Sequence, residues 1–95
     1  MRKWISDALD GHSINPTQWL ILARLSERDL QRPTDLAEFL HVQVPLITMM
    51  VRPLLRQDLV TRRTNVADLR NRSLSITPDG KSKLQTIESE LEAAS

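Results

Sequence analysis

Six arginines stand between positions 52 and 72: Arg52, Arg56, Arg62, Arg63, Arg70 and Arg72. Only Asp58 and Asp68 oppose them in that stretch. A guanidinium is a permanent cation whose planar fork of donors matches phosphate oxygens. Clustered arginines are therefore the electrostatic footprint of a polyanionic partner, with a merely solvated face as the ordinary alternative. The total charge is silent on this point: 13 basic and 12 acidic residues leave +1. The distribution carries the signal, because the chain ends on Glu88, Glu90 and Glu92 with no base among them.

Other chemistries find little support. Cysteine is absent, which excludes a disulfide framework, a thiolate metal site and a redox-sensing thiol. His12 and His41 are the only histidines and lack metal-ligand spacing. His12 reads as a solvated loop residue and His41 as a structural corner residue. Two glycines leave no phosphate-cradling loop. With no nucleophile–base pair, no enzyme and no cofactor is expected. Met1-Arg2-Lys3 leads into Trp4-Ile5-Ser6-Asp7 rather than an apolar run, so no secretory leader is expected. The apolar run over 19–23 is too short to cross a bilayer. The expectation is a cytoplasmic protein with no membrane partner.

The arginines must be positioned by a small set of elements. Ninety-five residues make one domain, 1–95. Aromatics are few (Trp4, Trp19, Phe39), so the core must be aliphatic, with Trp19 in it. Trp4, Ile5, Ala8 and Leu9 give helical spacing over 2–9, ended by Asp10-Gly11-His12. Asn15-Pro16 starts a second helix, with Asn15 as cap and Ile21, Leu22 and Leu25 as its buried stripe. A polar connection over 26–32 follows, and Thr34 is expected to cap a short helix over 35–40.

His41-Val42-Gln43 is long enough only for a tight corner, and His tolerates a positive φ there better than a β-branched residue does. The next helix spans 43–57 and buries Ile47, Met50, Val51 and Leu54. Pro53 inside it removes one hydrogen bond and presses on the Met49 carbonyl, so a kink is expected, with Arg52 pushed out of helical geometry. Strands are expected over 59–63 and 73–76, with a polar loop over 64–70 between them. Thr77-Pro78 opens a last helix over 78–94, whose Leu84, Ile87, Leu91 and Ala94 form a seam. The fold class is mostly α with a small β-hairpin. A helix-turn-helix over 34–57 is followed by a wing over 59–76, which defines a winged helix-turn-helix.

On the exposed face of the 43–57 helix stand Gln43, Val44, Pro45, Thr48, Met49 and Arg52. These are the candidates for base edges and nearby phosphates, since the major groove admits one α-helix. Three segments carry a family likeness: "NPTQWLILARL", "TDLAEFLHVQVPLITMMVRPLLRQDLV" and "TRRTNVADLRNRSLSITPDGKSKL". In order and at these separations they resemble the MarR/SlyA family of regulators, over about residues 16–84. The likeness is most specific at Asp68-Leu69-Arg70 followed by Leu74, Thr77 and Gly80. It implies double-stranded DNA as partner, a transcriptional regulator and a homodimer. It also implies a wing that puts Arg70 into a minor groove, with Asp68 orienting an arginine and Arg62, Arg63 and Arg72 on phosphates.

The dimer would use Trp4, Ile5, Leu9, Leu84, Ile87 and Leu91, unless those apolar faces fold back onto their own domain. The end helices are short for the family's pocket for phenolic ligands, so no small-molecule effector is expected. One alternative reading follows from Val44, Pro45 and Met49, which are unusually apolar for the tip of such a helix. They would then dock on a protein, in an interaction module with weak or no DNA binding.

Overall fold

The structure is a computed structural model describing residues 7, 9–65 and 68–94, with the backbone alone at 64, 65, 68–71 and 94. Residues 9–11 are helical and lead into a turn at 12–13, where His12 is not solvated as expected but half-buried, its Nε2 2.9 Å from Glu90 Oε2 of the last helix. Then come α1 (Pro16–Glu27), α2 (Pro33–Leu40), α3 (Val44–Arg56), β1 (Val60–Asn65), β2 (Asp68–Ile76) and α4 (Pro78–Ala94).

The start of α1 is determined by its own first residues. Asn15 Oδ1 accepts from the Gln18 backbone N–H at 2.9 Å, and Gln18 Oε1 accepts from the Asn15 N–H at 2.9 Å. Each group satisfies a donor that the first turn leaves open. Pro16 sits where no donor is needed. Gln18 is itself buried, and its Nε2 donates to the Met50 carbonyl of α3 at 3.1 Å.

That bond lands on the turn disturbed by Pro53. A proline deprives the carbonyl four residues earlier, that of Met49, of its donor. Even so, α3 is assigned as one helix through Pro53, and Arg52 stays helical, contrary to the expectation that the proline pushes it out of helical geometry. The reason lies in packing: Ile47, Val51 and Leu54 are all buried, and Gln18 brings a donor from another helix to the same turn. Met50 is only half-buried, packed against the core, while Met49 lies in solvent.

The expected cap of α2 is corrected. Arg32, not Thr34, is the N-cap, and Pro33 takes the first helical position. Asp35 reaches back to Arg32, accepting from its backbone N–H at 2.9 Å and from Nε and Nη2 at 3.2 and 3.1 Å. Those bonds to the Arg32 side chain and backbone hold the Asp35 carboxyl below the usual carboxylate range. A depressed acid contributes stability above its unfolded pKa and loses it as the pH falls through the folded value. On acidification below about pH 4, urea midpoints should therefore fall more steeply for the wild type than for Asp35→Asn. Equal slopes would show that the pair contributes nothing.

His41 ends α2 in the left-handed region, at φ 56° and ψ 45°. The Val42 N–H then donates back to the Ala37 carbonyl at 3.0 Å, which closes the corner into α3.

The wing departs from expectation by being longer. β1 and β2 pair antiparallel from Val60↔Ile76 out to Thr64↔Arg72, with a register shift before Asn65↔Asp68. Much of the expected 64–70 loop is therefore strand. A ladder needs only backbone groups, so polar residues do not exclude it. The far edge of β2 is covered too. Gln31 and Leu74 exchange both backbone hydrogen bonds, at 3.1 and 2.8 Å. Next to them, Asp29 accepts from the Ser75 hydroxyl and from the Ile76 N–H. The 28–32 connection is thus a third strand contact as well as a link.

Thr77 caps α4, accepting from the Gly80 N–H at 2.9 Å. A single apolar core joins Ile21, Leu22 and Leu25 of α1, Leu36 of α2, Ile47 and Leu54 of α3, and the hairpin base Val60, Leu74 and Ile76. Leu9, Leu84 and Ile87 belong to this same core, so the seam of α4 is covered largely by its own chain. Leu91 is half-buried against it, and Trp19 packs on it without full burial. Trp4 and Ile5 lie outside the described residues.

Candidate nucleic-acid interface

The outward face of α3 follows from what its inward face buries. With Ile47, Val51 and Leu54 in the core, Val44, Thr48 and Arg52 line up at four-residue steps on the other side, and Pro45 and Met49 do so beside them. Gln43, Val44, Pro45, Thr48, Met49 and Arg52 are all exposed. Five of them, from Val44 to Arg52, line one shallow cup. The face is sparing in free donors. The Thr48 hydroxyl donates to the Val44 carbonyl at 3.3 Å, and Gln43 precedes the helix without capping it through its side chain.

The hairpin adds charge beside this face. Side chains alternate between the faces of a strand, so Val60 and Arg62 share a face with Ile76, Leu74 and Arg72, the residues paired with positions 60, 62 and 64. That face is apolar and buried at its base, where Val60 meets Ile76, and cationic further out, where Arg62 and Arg72 lie diagonally across the ladder. Arg62, Arg72 and Leu74 line a groove together with Val44 and Thr48 of α3 and with Arg32, Pro33 and Thr34 at the start of α2. Its volume is about 540 Å³. Arg63, paired with Ser73, falls on the other face of the hairpin and is exposed there. The structure thus gathers Arg62 and Arg72 with the α3 face and separates Arg63 from them.

Asp68 and Arg70 open β2, and their side chains lie outside the described residues. Of the candidates for a dimer contact, Leu9, Leu84 and Ile87 are taken up by the chain's own core. Leu91 alone among the described ones keeps part of its surface.

Arg32 and Thr34 were not among the sequence candidates, yet they line the groove. Arg32 is held by Asp35, so its charge is largely compensated. Among the described residues, Arg62 and Arg72 have no ion-pair partner and remain the groove's free cations. The signal that would have found the α2 residues is Pro33: a proline favours the first helical turn, which turns Thr34 from a cap into a first-turn side chain.

Three helices, the second and third joined by a tight left-handed corner, and a hairpin whose cationic face flanks the third define a winged helix-turn-helix protein. The chain belongs to the MarR family, whose sequence model matches residues 14–71. It is similar to the HTH-type transcriptional repressor MdtR of Bacillus subtilis, with 26% identity over 85% of this chain and 52% of that protein. The chain spans about half the length of the curated relatives it matches. Its fold is that of the YusO protein of B. subtilis, with a TM-score of 0.89 at 24% identity over 95% of this chain and 64% of that one. It is also that of Staphylococcus aureus MepR in a DNA complex, with a TM-score of 0.85 at 21% identity over 97% and 76%.

Proposed function

We propose that this protein binds double-stranded DNA as a transcriptional regulator, with α3 in the major groove and the hairpin along the adjacent backbone. The observation that carries the reading is the convergence of Arg62 and Arg72 on the groove beside the exposed face of α3. Phosphate contacts from the arginines would set position and register, and the α3 side chains would read bases. The MarR membership, the repressor MdtR and the DNA-bound MepR support this.

The working form is a homodimer built on the end helices. With Leu9, Leu84 and Ile87 committed to the core, its contact falls to Leu91 and to Trp4 and Ile5. Such a protein acts in the cytoplasm, carries no cofactor and is not an enzyme. Among the described residues no helix is long and apolar enough to cross a membrane.

Fluorescence anisotropy with a labelled duplex from the DNA flanking its own gene tests the reading. Arg72→Ala should weaken binding and reduce the slope of log affinity against log salt by about 1 per protomer. Arg28→Ala removes the same charge from a different cleft, lined by Arg24, Glu38 and Phe39, and should leave both unchanged. If the two variants behave alike, the hairpin arginines are a solvated face. The exposed Val44 and Met49 would then favour the protein-docking module instead.

A further inference from the structure

We propose that α3 reads DNA chiefly through the 5-methyl groups of pyrimidines, so that its target is specified by thymines placed under Val44, Pro45 and Met49. The inference rests on the DNA-binding reading above and adds what the helix recognises.

The face that would enter the major groove is apolar where a reading helix usually offers donors and acceptors. Met49 is 57% exposed and Val44 38%, the largest apolar exposures on α3, and Pro45 lies in solvent beside them. The single hydroxyl on that face, Thr48, has its proton committed to the Val44 carbonyl. The side chains of Val44 and Pro45 therefore offer a base edge only van der Waals contact and burial, and Met49 adds no more than a weakly accepting thioether.

In the major groove only one base feature answers to that: the C5-methyl of thymine, which projects from the pyrimidine edge. The cup formed by Val44, Pro45, Thr48, Met49 and Arg52 supplies an apolar floor with a cation at one rim. A methyl would sit on that floor while the arginine reaches a phosphate. Met49 suits the task, because an unbranched thioether adapts to an irregular apolar partner. Gln43, the N-cap of α3, is exposed, and its side chain makes no capping hydrogen bond, which leaves its amide free just ahead of this surface. A glutamine amide pairs with N6 and N7 of adenine, the partner of thymine. The helix tip thus favours A·T pairs from both strands.

The size of the effect follows from the area. Burying one methyl contributes about 0.8 kcal/mol, which is about fourfold in affinity. Duplexes recovered by selection from a random pool should be prepared with deoxyuridine in place of thymidine. Uracil pairs as thymine does and lacks only the methyl.

With the full chain, we expect a loss of about fourfold for each methyl contacted, confined to a few positions when thymines are replaced one at a time. At those positions, 5-methylcytosine in a C·G pair should bind more tightly than unmethylated cytosine. Met49→Ser, a change at an exposed site, should lower affinity for the thymine duplex and leave the uracil duplex nearly unchanged. Equal affinity for the two duplexes, with binding still steeply salt-dependent, would overturn methyl reading while leaving DNA binding in place. No binding to any duplex at low salt would instead overturn the DNA-binding reading and this inference with it.

Discussion

Raising the salt from about 50 to about 200 mM is expected to weaken duplex binding on the order of 10³-fold. Each phosphate neutralised by the protein releases condensed counterions, with a slope near −0.9 in log affinity per contact. A loss of that size requires about six phosphate contacts. Arg52, Arg62 and Arg72 are exposed on or beside the proposed face, and a two-fold dimer would present each of them twice. Arg63, on the hairpin's other face, is expected to contribute less than Arg62. A titration at several salt concentrations measures the slope directly. A flat dependence would remove phosphate neutralisation and leave the apolar tip of α3 as a surface for protein.

The two glycines should respond to alanine in opposite directions. At Gly80, an added Cβ would run into the Leu59 carbonyl oxygen and lie 2.7 Å from Ile76 Cγ1. The Leu59 carbonyl is backbone and also accepts from the Thr77 N–H, so it cannot swing aside as a side-chain tip would. The start of α4 would have to move off the hairpin base. Overpacking costs about 1–3 kcal/mol, and against backbone the upper end is expected, which lowers Tm by roughly 12 °C in a domain of this size.

Gly11 is helical, and among the described residues nothing lies within 4 Å of where its Cβ would be. Gly11→Ala should stabilise by about 0.5–1 kcal/mol, because alanine loses less backbone freedom on folding. Thermal melts of the two variants check both signs. A Gly80→Ala protein as stable as wild type would mean that α4 has slack against the hairpin.

Local signals were legible in the residues themselves. Asn15-Pro16 and Thr77-Pro78 mark helix starts because a cap acts within three residues of itself. The left-handed corner at His41 is equally local, because the side chain's tolerance of a positive φ is its own property, and the outward face of α3 follows from the spacing of Ile47, Val51 and Leu54. The family likeness rests on these short-range features taken in order.

Local signals mislead where two of them compete, as at α2. There Thr34 and Pro33 both mark a helix start, and the reach of Asp35 to the Arg32 N–H placed the cap one residue before the proline. They mislead also where a distant partner decides. Pro53 predicts that Arg52 leaves helical geometry, and the buried stripe of α3 together with Gln18, 32 residues from Met50, keeps it in the helix. Periodicity in α4 reveals an apolar stripe and says nothing of what covers it; the core of the same chain covers Leu84 and Ile87. The pairing of Gln31 with Leu74, the grouping of Thr34 with Arg62 and Arg72, and the division of Arg62 from Arg63 all depend on strand register and on elements far apart in sequence. Residue types determine which chemistry is on offer, here guanidinium and methyl-sized apolar surface. Which of those groups share one groove is decided by packing, because only the closed core brings positions 34, 44, 62 and 72 within reach of a common ligand.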